Sequence, residues 1–336
     1  MRIPEKEMFE VFNKILLSRG YDKDRAKESA TNFVNNSLDG MYSHGVNRFS
    51  RVIEYIDKGY IKVDNREFVE QKLGTLEIIN GNLAMGNLVA THSMDRAIKL
   101  ANENGIGAVA IKNTNHWMRG GAYGWQAANA GCASICWTNT IANMPAWGGL
   151  EAVIGNNPLV LSLPRENGKH VVVDMAMSQF SYGKIEQVSL EKGQLPVYGG
   201  YDSNGNLTKD PSEIEKTQRP IPVGYWKGSA LSITLDLFAS LIAGGLSAIK
   251  VKDQCESEYS ICQIMIAIDT KKLQNQVSSN AMIEETINLI KNSQKIDETG
   301  EIRYPGEREY KTRIENKKLG IPVNDSIWNK ILGLEL

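Results

Sequence analysis

Apolar residues recur at helical spacing through the first sixty positions of the chain, with charged and polar residues between them. The opening "MRIPEKEMFEVFNKILLSRG" reads as an amphipathic helix. "TNFVNNSLDGMYSHGVNRFSRVIEYIDKG" carries the same period onward to a stop at Gly59. From about residue 75 the pattern changes. "TLEIINGNLA" predicts a strand and turn, "LVATHSMDRAIKLANENG" a helix closed by Gly105, and "GAVAIKN" a buried strand. "AYGWQAANAG" then predicts a short helix and "ASICWTN" another strand. Two further strands, "LVLSLP" and "HVVVDMA", flank "RENGK", where Asn167-Gly168 signals a hairpin and antiparallel pairing.

Beyond the hairpin, "YGGYDSNGNLTKDPSEI" reads as a polar loop. The apolar run from Leu231 to Ile249 reads as a buried core helix, and "ICQIMIAID" as a strand. "AMIEETINLIKN", "EREYKTRIENKKLG" and "SIWNKILGL" return to helical spacing, the last capped by Asp325 or Ser326. The pattern therefore predicts an α/β (α+β) protein. A mixed or antiparallel sheet over residues 76–276 packs against a helical domain formed from both chain ends, 1–75 and 277–336.

Composition narrows the function. A chain of 336 residues with 42% hydrophobic content can bury a substantial core. With 38 basic and 39 acidic residues it has no field to gather polyanions and no long basic run, which argues against a nucleic-acid partner. Cys132, Cys136, Cys255 and Cys262 have neither CxxC spacing nor neighbouring histidines, so buried thiols in a reducing cytoplasm are expected and no metal. The run at Leu231 approaches membrane-spanning length, but Asp236 and Gly244-Gly245 interrupt it, and no membrane association is expected.

Four short clusters carry candidate chemistry. In "YSHGVNRFSR" His44 and Arg48 stand four apart and Arg51 seven from His44, so on a helix all three share one face. A cation beside a histidine disfavours imidazolium unless an anion compensates, so the group suits a carboxylate ligand, with Arg48 gripping it and His44 handling a proton. The bland reading is a solvated helix face. In "NTNHWMRGGAYGW" His116 and Arg119 precede Gly120-Gly121, whose N–H groups open a helix and suit an anion; a glycine-rich turn is the alternative. In "GYWKGSALS" Ser229 can cap the helix that follows, while Lys227 sets a cation against the helix dipole. "YPGER", 304–308, is a Pro-Gly turn before a helix. Gly105-Ile106-Gly107 with Ala110 matches GxGxxA, but its strand follows the glycines, so it is not a Rossmann fingerprint. Walker A, GxSxG and HExxH sequences are absent.

Together "YSHGVNRF", "NHWMRGGAYGWQAA", "ICWTN", "VDMAMSQFSYGK" and "GYWKGSALSI" resemble the malate/L-lactate dehydrogenase type 2 family of NAD(P)-dependent oxidoreductases, in nearly unbroken register from residue 1 to about 332. The resemblance implies a non-Rossmann cofactor fold, a homodimer, and reduction by NADH, with NADPH possible, of the 2-oxo group of a small sugar-derived 2-oxo acid. It implies His44 as proton donor, with Ser43, Arg48 and His116 on the substrate. Cofactor contacts are implied at His170, Val171, Val172, Val173, Asp174, Met175 and Ala176, at Trp226 and Lys227, and at Gly306, Glu307 and Arg308, with Gly120 and Gly121 helping at the pyrophosphate. Asp174 is also a candidate for repelling the extra phosphate of NADPH. Gly45 reads as room for substrate or cofactor to approach His44. The chain departs from the family pattern at Asn143 and Ala146, where apolar and proline residues are expected. Malate, lactate, sulfolactate, ureidoglycolate or cyclic imino acid reduction are alternatives on the same fold, and a cofactor-binding metabolite sensor is a more distant one.

Overall fold

The computed structural model describes residues 1–273 and 276–335. Helices α1 (Glu5–Ser18), α2 (Lys23–Leu38) and α3 (Val46–Asp57) open the chain. Asp22 starts α2 by accepting the Arg25 N–H at 2.9 Å. The helical period of the sequence does not run straight through: it breaks at Asp39 and resumes after a 3₁₀ turn at Tyr42–His44. Phe12, Phe33 and Phe49, one from each helix, interlock, with Phe12 and Phe49 stacked at 4.0 Å. Ile321, Trp328 and Ile331 from the far end of the chain close the same apolar cluster, beside Met85 and Leu88.

The centre is a seven-stranded mixed sheet. Its strands in chain order are β1 (Phe68–Leu73), β2 (Leu76–Asn80), β3 (Ile106–Asn115), β4 (Cys132–Thr138), β5 (Leu159–Leu163), β6 (Val171–Met175) and β7 (Tyr259–Asp269), arranged spatially as β1-β2-β3-β7-β4-β5-β6. Only β2 and β3 pair in parallel. Between them runs α4 (Gly86–Asn104), and α5 (Gly120–Asn129) joins β3 to β4. Side chains alternate across the sheet with period two. Val109, Ile111, Met265 and Cys136 face α4 and α5, while Ala110, Ile264 and Trp137 face the opposite layer.

That opposite layer is α8 (Trp226–Ala243), reached through α6 (Tyr182–Leu190) and α7 (Pro211–Thr217). The hairpin signal at Asn167-Gly168 corresponds to antiparallel β5 and β6, with both residues at positive φ. Sequence pattern missed β1, an edge strand that is largely exposed and so shows no apolar alternation. The segment read as one polar loop holds a short strand pair, Gly200–Tyr201 with Leu207–Thr208, and α7.

The run read as one buried helix is two. α8 ends at Gly244, whose φ of 68° stops it, and α9 (Ala248–Gln254) departs at 73°. Nor is α8 wholly buried: Leu235, Ala239 and Ala243 pack on the sheet, while Trp226, Leu237 and Leu241 face outward. Ser229 lies inside α8, accepting the Trp147 N–H at 3.0 Å, and does not cap it. Among the described residues no single helix is long and apolar enough to cross a membrane. After β7 come α10 (Gln276–Lys291), α11 (Glu307–Leu319) and α12 (Asp325–Leu332). The residue capping α12 is Asn324, one position before the two expected, because its side chain accepts the Ser326 N–H at 2.9 Å.

Candidate active site

Strand directions bring the chemistry to one end of the sheet. β7 runs antiparallel to both of its neighbours, so its start lies beside the ends of β3 and β4, with Tyr259 opposite Asn115 and Gln263 opposite Thr138. His116 therefore follows β3 at the same place where Glu258 precedes β7. A bulge at Ser260, φ 59°, bends the start of β7 there.

A ring of residues closes around this end. The His44 and His116 rings face each other at 5.8 Å, tilted by 22°. Ser43 Oγ holds His44 Nδ1 at 2.9 Å, leaving Nε2 as the free edge. His116 Nδ1 accepts the Met118 N–H at 2.9 Å, so the neutral ring carries its proton on Nε2, which faces Glu258 Oε1 at 3.7 Å. Glu258 Oε2 accepts the Ile141 N–H at 3.2 Å. Two residues on, the Asn143 carbonyl accepts a hydrogen bond from the Tyr182 hydroxyl at the start of α6. A Cβ on Gly183 would lie 3.7 Å from Ser43 Cβ, which returns the ring to its first member.

Burial and the neighbouring arginines dominate the electrostatics here. Burial first, then Arg48 and Arg119, lower the His44 pKa to about 4. Burial, then Arg48, hold His116 well below its ordinary value. Burial also lowers Arg48, against which the Glu258 charge works. Both imidazoles are thus neutral near pH 7 in the free protein, and an anion seated at Arg48 would raise them both.

The expected helical stripe of His44, Arg48 and Arg51 is corrected. His44 sits in the 3₁₀ turn, Gly45 interrupts, and Arg48 belongs to the first turn of α3. Arg51 bonds the Tyr55 hydroxyl at 3.3 Å and lies over its ring. The space at Gly45 serves the protein and not a ligand: a Cβ there would meet Ser37 Oγ at 2.2 Å.

A second feature adjoins the first. A cavity of about 260 Å³ is walled by Val172, Val173 and Asp174 of β6, by Tyr304 to Gly306, by Arg308 and Glu309 of α11, and by Met41, Arg119 and Trp125. The Val172 N–H donates to the Pro305 carbonyl at 3.0 Å, fixing the start of α11 against β6. Gly306 is required at φ 94°, where a Cβ would also crowd His170 O and Val172 N. This cavity fits a nicotinamide dinucleotide in chemistry: an apolar strand wall, a helix start with an exposed arginine, and a buried Trp125 Nε1 with no partner.

Not every residue expected at the cofactor lines it. His170 is buried in the hairpin turn, its Nδ1 accepting the Arg165 N–H and its Nε2 bonding Asn129 Oδ1, each at 2.9 Å. Glu307 points into the protein, paired with Lys291 and, at 3.0 Å, with Lys311. Val171, Met175 and Ala176 lie along or beyond β6 outside the cavity wall, and Trp226 and Lys227 stand at the exposed start of α8. The α5 start is not an open anion seat, because Asp174 Oδ2 already accepts the Gly121 N–H at 2.8 Å. Gly120 and Gly121 are instead needed for packing, since Cβ atoms there would meet the Trp117 ring at 2.7 Å and Asp174 Oδ2 at 2.8 Å. The Asp174 carboxylate is held between that N–H and Arg119, and burial raises its pKa. Residue reasoning also missed Asp39, which bonds both Arg119 and Arg313, and Glu258.

The sequence matches the malate/L-lactate dehydrogenase family over residues 3–332. It is 45% identical over 334 residues to the 2,3-diketo-L-gulonate reductase of Citrobacter koseri, covering 99% of this chain and 100% of that one. Malate dehydrogenase from Pyrococcus horikoshii superposes with a TM-score of 0.90 at 28% identity, over 99% of this chain and 94% of that one. Sulfolactate dehydrogenase from Methanocaldococcus jannaschii superposes with a TM-score of 0.87 at 25% identity, over 99% and 96%. The α/β fold expected from the sequence is the fold of these dehydrogenases, and the chain belongs to the malate/L-lactate dehydrogenase family, as a nicotinamide-dependent oxidoreductase acting on CH–OH and keto substrates.

Proposed function

We propose that the protein uses NADH to reduce the 2-oxo group of 2,3-diketo-L-gulonate, giving 3-dehydro-L-gulonate. The observation that carries this reading is the full-length 45% identity to a reductase named for that substrate, combined with a histidine bonded to a serine and near enough to Arg48 for the guanidinium charge to lower its pKa. NADPH, and the other 2-oxo and imino acids of the family, are the competing readings.

Bound nicotinamide would supply hydride to the substrate carbonyl carbon. Val172, Val173, Gly306 and Arg308 would hold the dinucleotide, the N–H groups at the start of α11 meeting its phosphates. Arg48 takes the substrate carboxylate. Its charge is then answered, imidazolium becomes affordable, and His44 delivers a proton from Nε2 to the carbonyl oxygen while Ser43 steadies Nδ1. His116 lies across from His44 as a neutral donor through its own Nε2.

We read the working form as a cytoplasmic homodimer. Trp226, Ile233, Leu237 and Leu241 recur at helical spacing along the outer face of α8, with Leu241 79% exposed. A second copy is the occupant that would cover this stripe. Leu237→Glu with Leu241→Glu should convert a dimer to monomer in sedimentation; a monomeric wild type refutes the reading.

The substrate assignment is tested by following loss of reduced-cofactor absorbance with a panel of 2-oxo acids and both cofactors. Turnover of malate, pyruvate or ureidoglycolate with none of 2,3-diketo-L-gulonate overturns it.

A further inference from the structure

We propose that Glu258 reads the tail of the substrate, accepting hydrogen bonds from hydroxyl groups of a polyhydroxylated 2-oxo acid whose carboxylate sits on Arg48. The proposal rests on the active-site reading above and adds a specificity-determining residue to it.

Glu258 is nearly buried, with 12% of its side chain exposed, yet its carboxylate is barely engaged. Oε2 takes one backbone N–H at 3.2 Å. Oε1 faces His116 Nε2 only at 3.7 Å, beyond hydrogen-bond reach. Among the described residues no lysine or arginine forms an ion pair with it. An ionised carboxylate offers about four acceptor positions, so most of its capacity is unspent. Leaving such a group unpaired inside the fold is costly, and a ligand donor would relieve it.

A second acceptor, two residues from the Ile141 that bonds Glu258, is without a partner. Asn143 Oδ1 is buried and accepts no hydrogen bond, while Asn143 Nδ2 reaches Asn156 Oδ1 at 3.4 Å. The main chain links the two acceptors: Ile141 donates to Glu258, and the Asn143 carbonyl is held by Tyr182, a residue that feels the Glu258 charge. Two idle acceptors joined through one backbone segment call for a ligand that brings donors. Hydroxyl groups do so. A second carboxylate would be repelled by Glu258, and an alkyl tail would leave both acceptors dry. Carboxylate recognition at Arg48 and hydroxyl recognition at Glu258 together orient a sugar-derived acid in one sense only.

The test compares kcat and KM, with NADH, for 2,3-diketo-L-gulonate, 2-oxo-L-gulonate and 2-oxohexanoate, the last two being six-carbon acids that differ in their tail hydroxyls. The wild type should prefer the hydroxylated acids. Because a charge-assisted hydrogen bond is roughly twice as strong as a neutral one, Glu258→Gln should cut the hydroxylated-to-plain ratio of kcat/KM by about tenfold and Glu258→Ala by about a hundredfold, chiefly through KM. Glu258→Gln keeps an acceptor for the Ile141 N–H, so its fold is preserved. Equal loss on hydroxylated and plain acids, an unchanged ratio, or a wild type that prefers 2-oxohexanoate overturns the proposal. If 2-oxo-L-gulonate is turned over with this dependence and 2,3-diketo-L-gulonate is not, the substrate assignment fails and Glu258 stands. No turnover of any of the three overturns both.

Discussion

Replacing Gly45 by alanine should damage both stability and catalysis, by an amount the packing sets. An ideal Cβ on Gly45 would lie 2.2 Å from Ser37 Oγ, 2.9 Å from Ser37 N and 3.1 Å from the Phe33 carbonyl oxygen. Ser37 Oγ cannot simply turn away. It accepts the Val46 N–H at 2.9 Å, which starts α3, and donates to the Phe33 carbonyl at 2.9 Å. Losing both bonds costs about 2 kcal/mol. The backbone contacts remain even then, and α2 cannot retreat because Phe33, Val34 and Leu38 are packed in the core. Overpacking adds about 1–3 kcal/mol, for a total of about 3–5 kcal/mol. If the turn moves instead of α2, His44 moves with it, and a displacement near 1 Å costs on the order of a hundredfold in kcat. Denaturant unfolding and steady-state turnover measure the two effects. Gly333→Ala is the control, since a Cβ there meets nothing within 4 Å, and it should change stability by less than about 0.5 kcal/mol. Adding Ser37→Ala to Gly45→Ala should cost less than the sum of the two single changes, because the 2.2 Å contact is then gone. A Gly45→Ala protein that unfolds with the wild type and keeps its kcat would show that the turn has room, and the argument would fail.

His44→Ala should abolish turnover while reduced cofactor still binds, measured by fluorescence titration; normal turnover removes His44 as proton donor. Arg48→Met removes the second cause of the depressed His44 pKa, so the imidazole should titrate above about 4 in the free variant by NMR, and an unchanged or lower value refutes the pairing. His92 is clasped by Glu67 at 2.6 Å and Glu28 at 3.1 Å, hydrogen bonds that raise its pKa to about 10. A raised folded-state value stabilises fully below the unfolded pKa near 6.5 and is lost as pH rises toward 10. With a third of the side chain open to solvent, the effect is discounted to about 1–2 kcal/mol. His92→Gln should therefore narrow its stability deficit against wild type between pH 6.5 and 10 in paired melts; a constant deficit sinks the assignment.

Residues of like period were legible, and residues joined by register were not. The strands β3, β4 and β7 showed as apolar runs because each is buried on both faces, between α4 and α5 on one side and α8 on the other. The hairpin showed because Asn167-Gly168 needs positive φ at both positions. α8 was misread for a related reason: its outer face is apolar as well as its inner one, so its composition matches that of a core helix although Leu237 and Leu241 are exposed among the described residues. Asp39 was invisible because it looks like any helix-terminal acid until the fold sets it between Arg119 and Arg313.

Glu258 is the sharper case. In "SEYSICQIMIAID" it is one polar residue ahead of an apolar strand, 142 positions from His116, and nothing in its own surroundings marks it. What marks it is a pairing: Tyr259 opposite Asn115 puts the residue before one strand against the residue after the other. Register converts sequence distance into contact, and a bulge then turns the strand start toward the histidines. The same register explains why His44 needs help from elsewhere. In the proposed mechanism α3 and its preceding turn would carry the proton and the carboxylate clamp, while the sheet end would supply the opposing imidazole and the idle acceptors. Because β7 is buried on both faces, a one-residue slip against β3 would turn Met265 and Ile264 to the wrong layers, so the register that holds the core together is the same one that sets Glu258 against His116.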